Sequence, residues 1–485
     1  MKFIYTPIRK AAVIVVMTIL LVGCDDFGNL NVDPNNPSQV RTELLLTNVQ
    51  RNISAVSGSV IGNLWVQYMA ETQYDDDSRY STTTFDFNAW YTGSLMDLQT
   101  IIDLNTNEDT RGDALSGGSN NNQIAVARIL KAYFFHVITD RWGMLPYSDA
   151  LQGQENFSPS YDTQEAIYVD ILNELKEAVN QMDSGAGVRG DIIFSGNMGQ
   201  WAEFANSLRA RIALRMADTN QSDLARSEFV DAINGGIIGE DVMYPYLAEA
   251  SNQNPWYARF ITRTDYAISD VLADYMKGLN DYRVIRYADP APDHYTAGEE
   301  ITFDNIQGMP YSVENPGDIT NSSISFPGNA IRAQNAPLPI ITVSELYFAM
   351  AEAVERNWIT GSAEDHYMDG IEASWNQWGV YDDANFASYV SQDEVAYNSA
   401  NWMEKIGTQK WVALYPNGYE AWAEWRRLDY PALTPHGLPL NESGNIPRRH
   451  AYPTSEAQLN EANYNAAVSA QGADTPDTRL WWDVN

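Results

Sequence analysis

Residues 162–182 read DTQEAIYVDILNELKEAVNQM. Ile167, Ile171, Leu175, Ala178 and Met182 recur every three to four positions, the period of a helix with one buried stripe. Asp162 and Glu165 have capping-box spacing, which predicts the helix start. The same period runs through 122–143, NQIAVARILKAYFFHVITDRWG, with Ile124, Ala127, Leu130, Phe134 and Ile138 on one stripe. It returns in 199–217, where Trp201, Phe204, Leu208, Ile212 and Met216 align while Arg209, Arg211 and Arg215 fall elsewhere. The stretch 223–236 is shorter and ends in paired glycines, a helix stop. Thr342 and Glu345 open another capping box at 342–358, and 362–379 follows after a short turn, an antiparallel helix pair. Pairs too small to bury their own stripes stack on one another, so the fold class is mainly α, a tetratricopeptide-like helix-pair scaffold.

The scaffold is read over approximately 41–72, 120–235 and 341–427. Between lie irregular regions, approximately 73–119, 240–340 and 428–485, rich in Asn, Gly, Pro, Asp and Tyr. Loops of this length in a folded body are expected to bind something. They form a loop-rich, partly stranded face, with EITFDN (300–305) and SSISF (322–326) as candidate short strands.

The N-terminus has its own logic. Lys2, Arg9 and Lys10 precede an apolar run, Ala11 to Val22, that stops at Gly23-Cys24. A basic head, a short greasy core and a small residue before a cut make a secretory leader over 1–23. The run is short for a bilayer span. Cys24 is the sole cysteine, so it has no internal disulfide partner. Asp, Asn and Pro follow at once, and residues 24–40 read as an extended tether ahead of a single body, 41–485. The formal charge is -34, from 64 acidic against 30 basic residues, of which only 7 are Lys. Such a chain repels nucleic acid and anionic headgroups.

No H-E-x-x-H, G-x-S-x-G, P-loop or C-x-x-C occurs, and the five histidines, His136, His294, His366, His436 and His450, show no metal-ligand spacing. The chain reads as a binding protein, not an enzyme, with no cofactor. Calcium has two weak candidates. Asp103, Asn105, Asn107 and Asp109 alternate like the start of an EF-hand loop, but Glu108 and Ala114 stand where glycine and glutamate are needed. Asp75, Asp76 and Asp77 concentrate charge, although a solvated acidic loop explains them equally well. Loop aromatics are the better signal. Tyr74, Tyr80 and Trp90 lie in 64–93, and Trp256, Tyr257 and Tyr266, with Arg259 and Arg263 between them, lie in 252–266. Flat rings stack on the apolar faces of sugars while nearby Asn, Asp and Arg bond to hydroxyls. Core packing is the competing reading, favoured for Trp90 and evenly balanced for Trp256 and Tyr257.

LVGC followed by DDFGNLNVDPNNP resembles a bacterial lipobox and tether. Together with 129–150 (ILKAYFFHVITDRWGMLPYSDA), 201–217, TVSELYFAMAEA, 418–433 (GYEAWAEWRRLDYPAL), 446–467 and DTRLWWD (477–483), it resembles the SusD/RagB-like outer-membrane nutrient-binding lipoproteins of Bacteroidetes across essentially the whole chain. The resemblance implies lipidation at Cys24, with Asp25 and Asp26 as a surface-export signal, and four tetratricopeptide-like helix pairs. It implies a partner, a SusC-like TonB-dependent transporter, on which the lipoprotein sits as a hinged lid. It also implies a nutrient ligand, usually oligosaccharide, with peptides or other large solutes open. A surface glycan-binding or scaffold lipoprotein acting without a transporter, and a secreted hydrolase, are the alternatives. Gly143 and Pro146 are expected to steer the chain out of a helix. Trp422, Trp425, Arg426, Arg427, Arg448 and Arg449 are expected to pack the core and form internal ion pairs.

Overall fold

A computed structural model describes residues 40–435 and 437–484. The leader over 1–23, Cys24, the tether up to residue 39, and His436 lie outside the described residues. The body is mainly helical, 53% helix and 5% strand. Its longer helices are α1 (Thr42–Arg51), α2 (Met96–Thr106), α3 (Asn120–Trp142), α4 (Gln164–Gln181), α5 (Met198–Arg215), α6 (Ser222–Gly235), α7 (Val343–Glu355), α8 (Ala363–Gln377), α9 (Trp402–Ala413), α10 (Gly418–Leu428) and α11 (Glu461–Gln471). Consecutive helices pack as pairs, α3 on α4, α5 on α6 and α7 on α8, and α5 joins the series by touching α3, α4 and α7. This is the expected helix-pair scaffold.

The helix ends follow local chemistry. The Asn197 side chain accepts from the Gly199 and Gln200 amides at 3.0 and 3.2 Å, and the Ser362 hydroxyl from Asp365 at 3.1 Å. Each such cap is worth about 1 kcal/mol. The α4 cap is Thr163, which accepts from Ala166, and not Asp162 as the spacing implied. Asp162 is held instead by the Tyr147 and Ser148 amides, at 3.2 and 2.8 Å, where β2 (Leu145–Pro146) pairs with β3 (Tyr161–Asp162). Thr342 caps α7 by accepting from Glu345, but the Glu345 carboxylate grips Arg211. Gly143 ends α3 at φ 85°, a left-handed turn that delivers the chain to β2.

Two expectations fail in detail. Residues 300–305 and 322–326 form no strand. The Thr302 amide and hydroxyl both donate to the Asn305 side chain, and this local closure turns the chain into a short 3-10 helix over Phe303–Asn305. The strands fall at β1 (Met69–Glu71) with β5 (Tyr266–Ile268), and β4 (Val242–Tyr244) with β6 (Leu338–Ile341), each pair antiparallel. The region 73–119 is not wholly irregular either: α2 packs on α1 and α3 through Leu98 and Ile101. Asp103 and Asn105 lie inside this helix, so the alternating Asp and Asn side chains of 103–109 do not share a loop.

α3 is buried nearly all round, not along one stripe. Asp140 near its end joins a seam of buried charge that runs through α5, α7, α9 and α10. Arg211 forks Glu345 at 2.6 and 2.7 Å. Arg215 reaches Glu420 at 2.7 Å, Glu424 at 2.5 Å and Asp140 at 3.4 Å. Lys410 holds Glu424 at 2.7 Å, and Arg427 forks Glu352 at 2.5 and 2.6 Å while also holding Glu424 at 2.7 Å. Burial alone would raise the Glu424 carboxyl, but Arg427, Lys410 and Arg215 hold it well below the usual range. Arg427 thus forms the expected internal pairs. Arg426 does not: its guanidinium lies 3.5 Å over Trp422 and 4.7 Å from Trp482 and donates to the Asp140 and Arg448 carbonyls.

Removing one partner of a buried pair strands the other charge. Arg427→Ala should therefore cost about 3–5 kcal/mol in chemical denaturation. A loss below about 1 kcal/mol, the scale of an exposed ion pair, would show that the seam does not support the fold.

Candidate functional site

The β1–β5 ribbon joins the two aromatic loops singled out in the sequence. Glu71 lies opposite Tyr266, and the Thr72 amide donates to the Asp265 carbonyl at 2.9 Å. Just beyond, Tyr74 is 57% exposed with the Arg263 guanidinium 4.9 Å over its ring. Arg263 is held by Asp265 at 2.7 Å. Asn321 donates to Thr264 at 2.7 Å, bringing a third loop to the same edge. An open ring, a fixed guanidinium, a carboxylate and an amide thus sit together, the set needed to stack on a sugar and bond its hydroxyls.

The other candidates divide. Tyr266 is half-buried and packs edge-on against Trp256, centroids 6.1 Å apart. Arg259 covers the Trp256 ring at 4.9 Å and is half-buried, and Tyr257 is half-buried on the same short helix, Pro255–Phe260. Trp256 itself is fully buried, which corrects its reading as a ligand platform. The cause is local: Asn254 accepts from the Trp256 amide at 2.7 Å and donates inward to the Ile331 and Ala336 carbonyls, pulling the first turn into the core. Tyr80 is also buried, at φ 64°, and is likewise withdrawn. Beside it, Arg79 donates to the Leu438 carbonyl at 2.7 Å and its own carbonyl accepts from the Leu440 amide at 2.6 Å. Trp90 packs on Phe134 of α3, 5.2 Å between centroids. In the acidic triplet, Asp75 pairs with Arg79, Asp76 is exposed and Asp77 is half-buried. Among the described residues no three His, Cys, Asp or Glu side chains converge as metal ligands.

Two grooves of about 820 and 550 Å³ lie on the helical side and share Gln99, Lys131 and Glu174. The two charges they share are held by neighbours: Glu174 clamps Arg128 at 2.9 and 2.8 Å, and Lys131 donates to Gln99 at 2.9 Å. At the ribbon edge, by contrast, the Tyr74 ring stands open.

Sequence reasoning missed Glu71. It faces inward on β1, 6% exposed, and accepts from the Ser78 amide and hydroxyl, both at 2.8 Å. Burial pushes its carboxyl from 4.5 up to about 7, the Ser78 hydrogen bonds pull it down, and Asp77 and Asp76 add to the rise. Only the period-2 pattern of the strand could have pointed to it, and three residues are too few to show one.

The folded chain binds this proton more tightly than the unfolded chain, so unfolding stability falls as pH rises from about 4.5 to about 7. Glu71→Gln should remove this component. Denaturation of both proteins from pH 4 to 8 should give a stability difference that changes across that window and is flat above it. A pH-independent difference would contradict the assignment.

The chain matches the SusD-like family model, described as starch-binding and associating with the outer membrane, over residues 34–453. Comparison with curated protein sequences found no significant match. Among solved structures it is similar to a chitin-binding protein (26% identity, TM-score 0.76, covering 92% of this chain and 100% of that one). It is also similar to a SusD homolog from Bacteroides fragilis (25% identity, TM-score 0.78, 92% and 99%). A chitin-binding SusD homolog from Flavobacterium johnsoniae shares the fold (24% identity, TM-score 0.76, 92% and 99%). No helix among the described residues is long and apolar enough to cross a membrane. With the helix-pair scaffold and the matched span together, the chain belongs to the SusD-like family of outer-membrane nutrient- and glycan-binding proteins, whose members are binding proteins rather than enzymes.

Proposed function

We propose that this protein is a cell-surface lipoprotein, acylated at Cys24, that captures an oligosaccharide at the β1–β5 edge and passes it to a SusC-like TonB-dependent transporter. The observation that carries the reading is the ribbon pairing, which sets an exposed ring, Tyr74, beside Arg263, Asp265 and Tyr266. The chitin-binding names of two structural relatives support glycan as the ligand class. The acidic charge supports a lipid as the membrane contact, since two or more acyl chains hold firmly where a polyanion would be repelled. Capture without chemistry suits delivery: a few stacking and hydrogen-bonding contacts bind, and no bond has to break for release.

Calorimetric titration with chito- and maltooligosaccharides, and with peptides of similar mass as a third arm, tests the ligand class. Tyr74→Ala should weaken binding about 3- to 10-fold, the worth of one stacked ring, with the fold unchanged. Unchanged affinity would remove the ribbon edge as the site. Purification from native membranes tests the partner: a large TonB-dependent barrel should accompany the protein, and its absence would leave capture without delivery.

A further inference from the structure

A cavity of about 20 Å³ lies inside the charged seam where α3, α5 and α10 meet, large enough for one water molecule or one halide ion. His136, Asp140, Arg141, Arg211, Glu420 and Arg426 line it, with Asn417 at the start of α10. Its two carboxylates are already engaged. Asp140 lies 3.1 Å from His136 and 3.4 Å from Arg215, and Glu420 is held by Arg215 at 2.7 Å. Arg211 has its own partner in Glu345. Arg141 and Arg426 have no carboxylate within ion-pair distance among the described residues. Arg141 lies over the Trp142 and Tyr419 rings, at 4.4 and 4.1 Å, and Arg426 between Trp422 and Trp482. Asp483, the further carboxylate that Arg426 senses, is held by Arg448 at 2.9 Å and Arg479 at 2.5 Å.

The charges do not balance. Asp140, Glu345, Glu352, Glu420 and Glu424 face Arg141, Arg211, Arg215, Lys410, Arg426 and Arg427, five carboxylates against six cations. Arg356 and Asp218 at the outer end balance each other. Guanidinium does not give up its proton in proteins, so the excess cannot be lost that way. The cavity is where the excess sits. Arg141 and Arg426 both line it, and Nε of Arg141 and Nη2 of Arg426 are buried without a hydrogen-bond partner. Asn417 adds Oδ1, and its amide can present nitrogen by a half-turn.

We propose that this cavity binds one monovalent anion of halide size, chloride in ordinary solution. Two guanidinium N–H groups without acceptors, beside carboxylates already held by other groups, favour an anion, which only accepts, over water, which must also donate. A single negative charge neutralises the seam, and a buried uncompensated cation is otherwise expensive. The ion would lock the junction of α3 and α10 without touching the ribbon edge.

Crystals of the full chain soaked in sodium bromide and measured at the bromine edge should show one anomalous peak between Arg141 and Arg426. In solution, Tm should rise saturably with chloride or bromide at ionic strength held constant with sodium glutamate. Asn417→Asp places a carboxylate in the cavity and should keep the fold while abolishing the halide dependence. A peak without anomalous signal, a Tm that follows ionic strength alone, or an N417D protein that still gains stability from halide would each overturn the proposal.

Discussion

The buried charged seam is the constraint on which the rest of the molecule depends. Carboxylates on α3, α7 and α10 find their cations on α5, α9 and α10, so no helix can slide by a turn without leaving a charge unpaired. Apolar packing alone would tolerate such slips, because Leu and Ala on one face resemble each other along the helix. Ionic pairing does not make the core more stable than a well-packed apolar one; it selects one register. The long connections pack onto this scaffold through buried residues such as Trp256, Tyr311, Tyr452 and Trp482.

Much of the scaffold was legible because its signals are local. Thr342, the Gly143 turn and the stripe of α4 are written in a few consecutive residues. The arginines of α5 were readable as residues off the apolar stripe, yet nothing in 199–217 alone says that they face inward. The partners of Arg211 and Arg215, which are Glu345, Glu420 and Glu424, lie 134 to 209 positions away. Arg427 was rightly read as an ion-pair former and Arg426 was not, because neighbours in sequence point to different faces of one helix. The strands were misplaced for a related reason: three-residue strands have no period to read, whereas the Thr302–Asn305 closure competes locally and wins.

The site was half legible. Loop aromatics near Arg and Asn marked two segments, and the ribbon brings those segments together. Which ring stays open was not written there. Trp256 sits among polar neighbours, but one of them, Asn254, is the anchor that draws it inside. Tyr80 is buried, next to an Arg79 whose partner Leu438 lies 359 positions away. Tyr74 escapes both fates because it lies past the end of β1, where the pairing stops.

The central claim is a division of labour: a rigid helical scaffold, and a ribbon-bound loop edge that meets the ligand. Hydrogen–deuterium exchange with and without a bound oligosaccharide measures it directly. The account predicts new protection in 72–80 and 259–266, with α5, α7 and α10 unchanged. Protection confined to the α2–α4 grooves, with those loops unaffected, would contradict it.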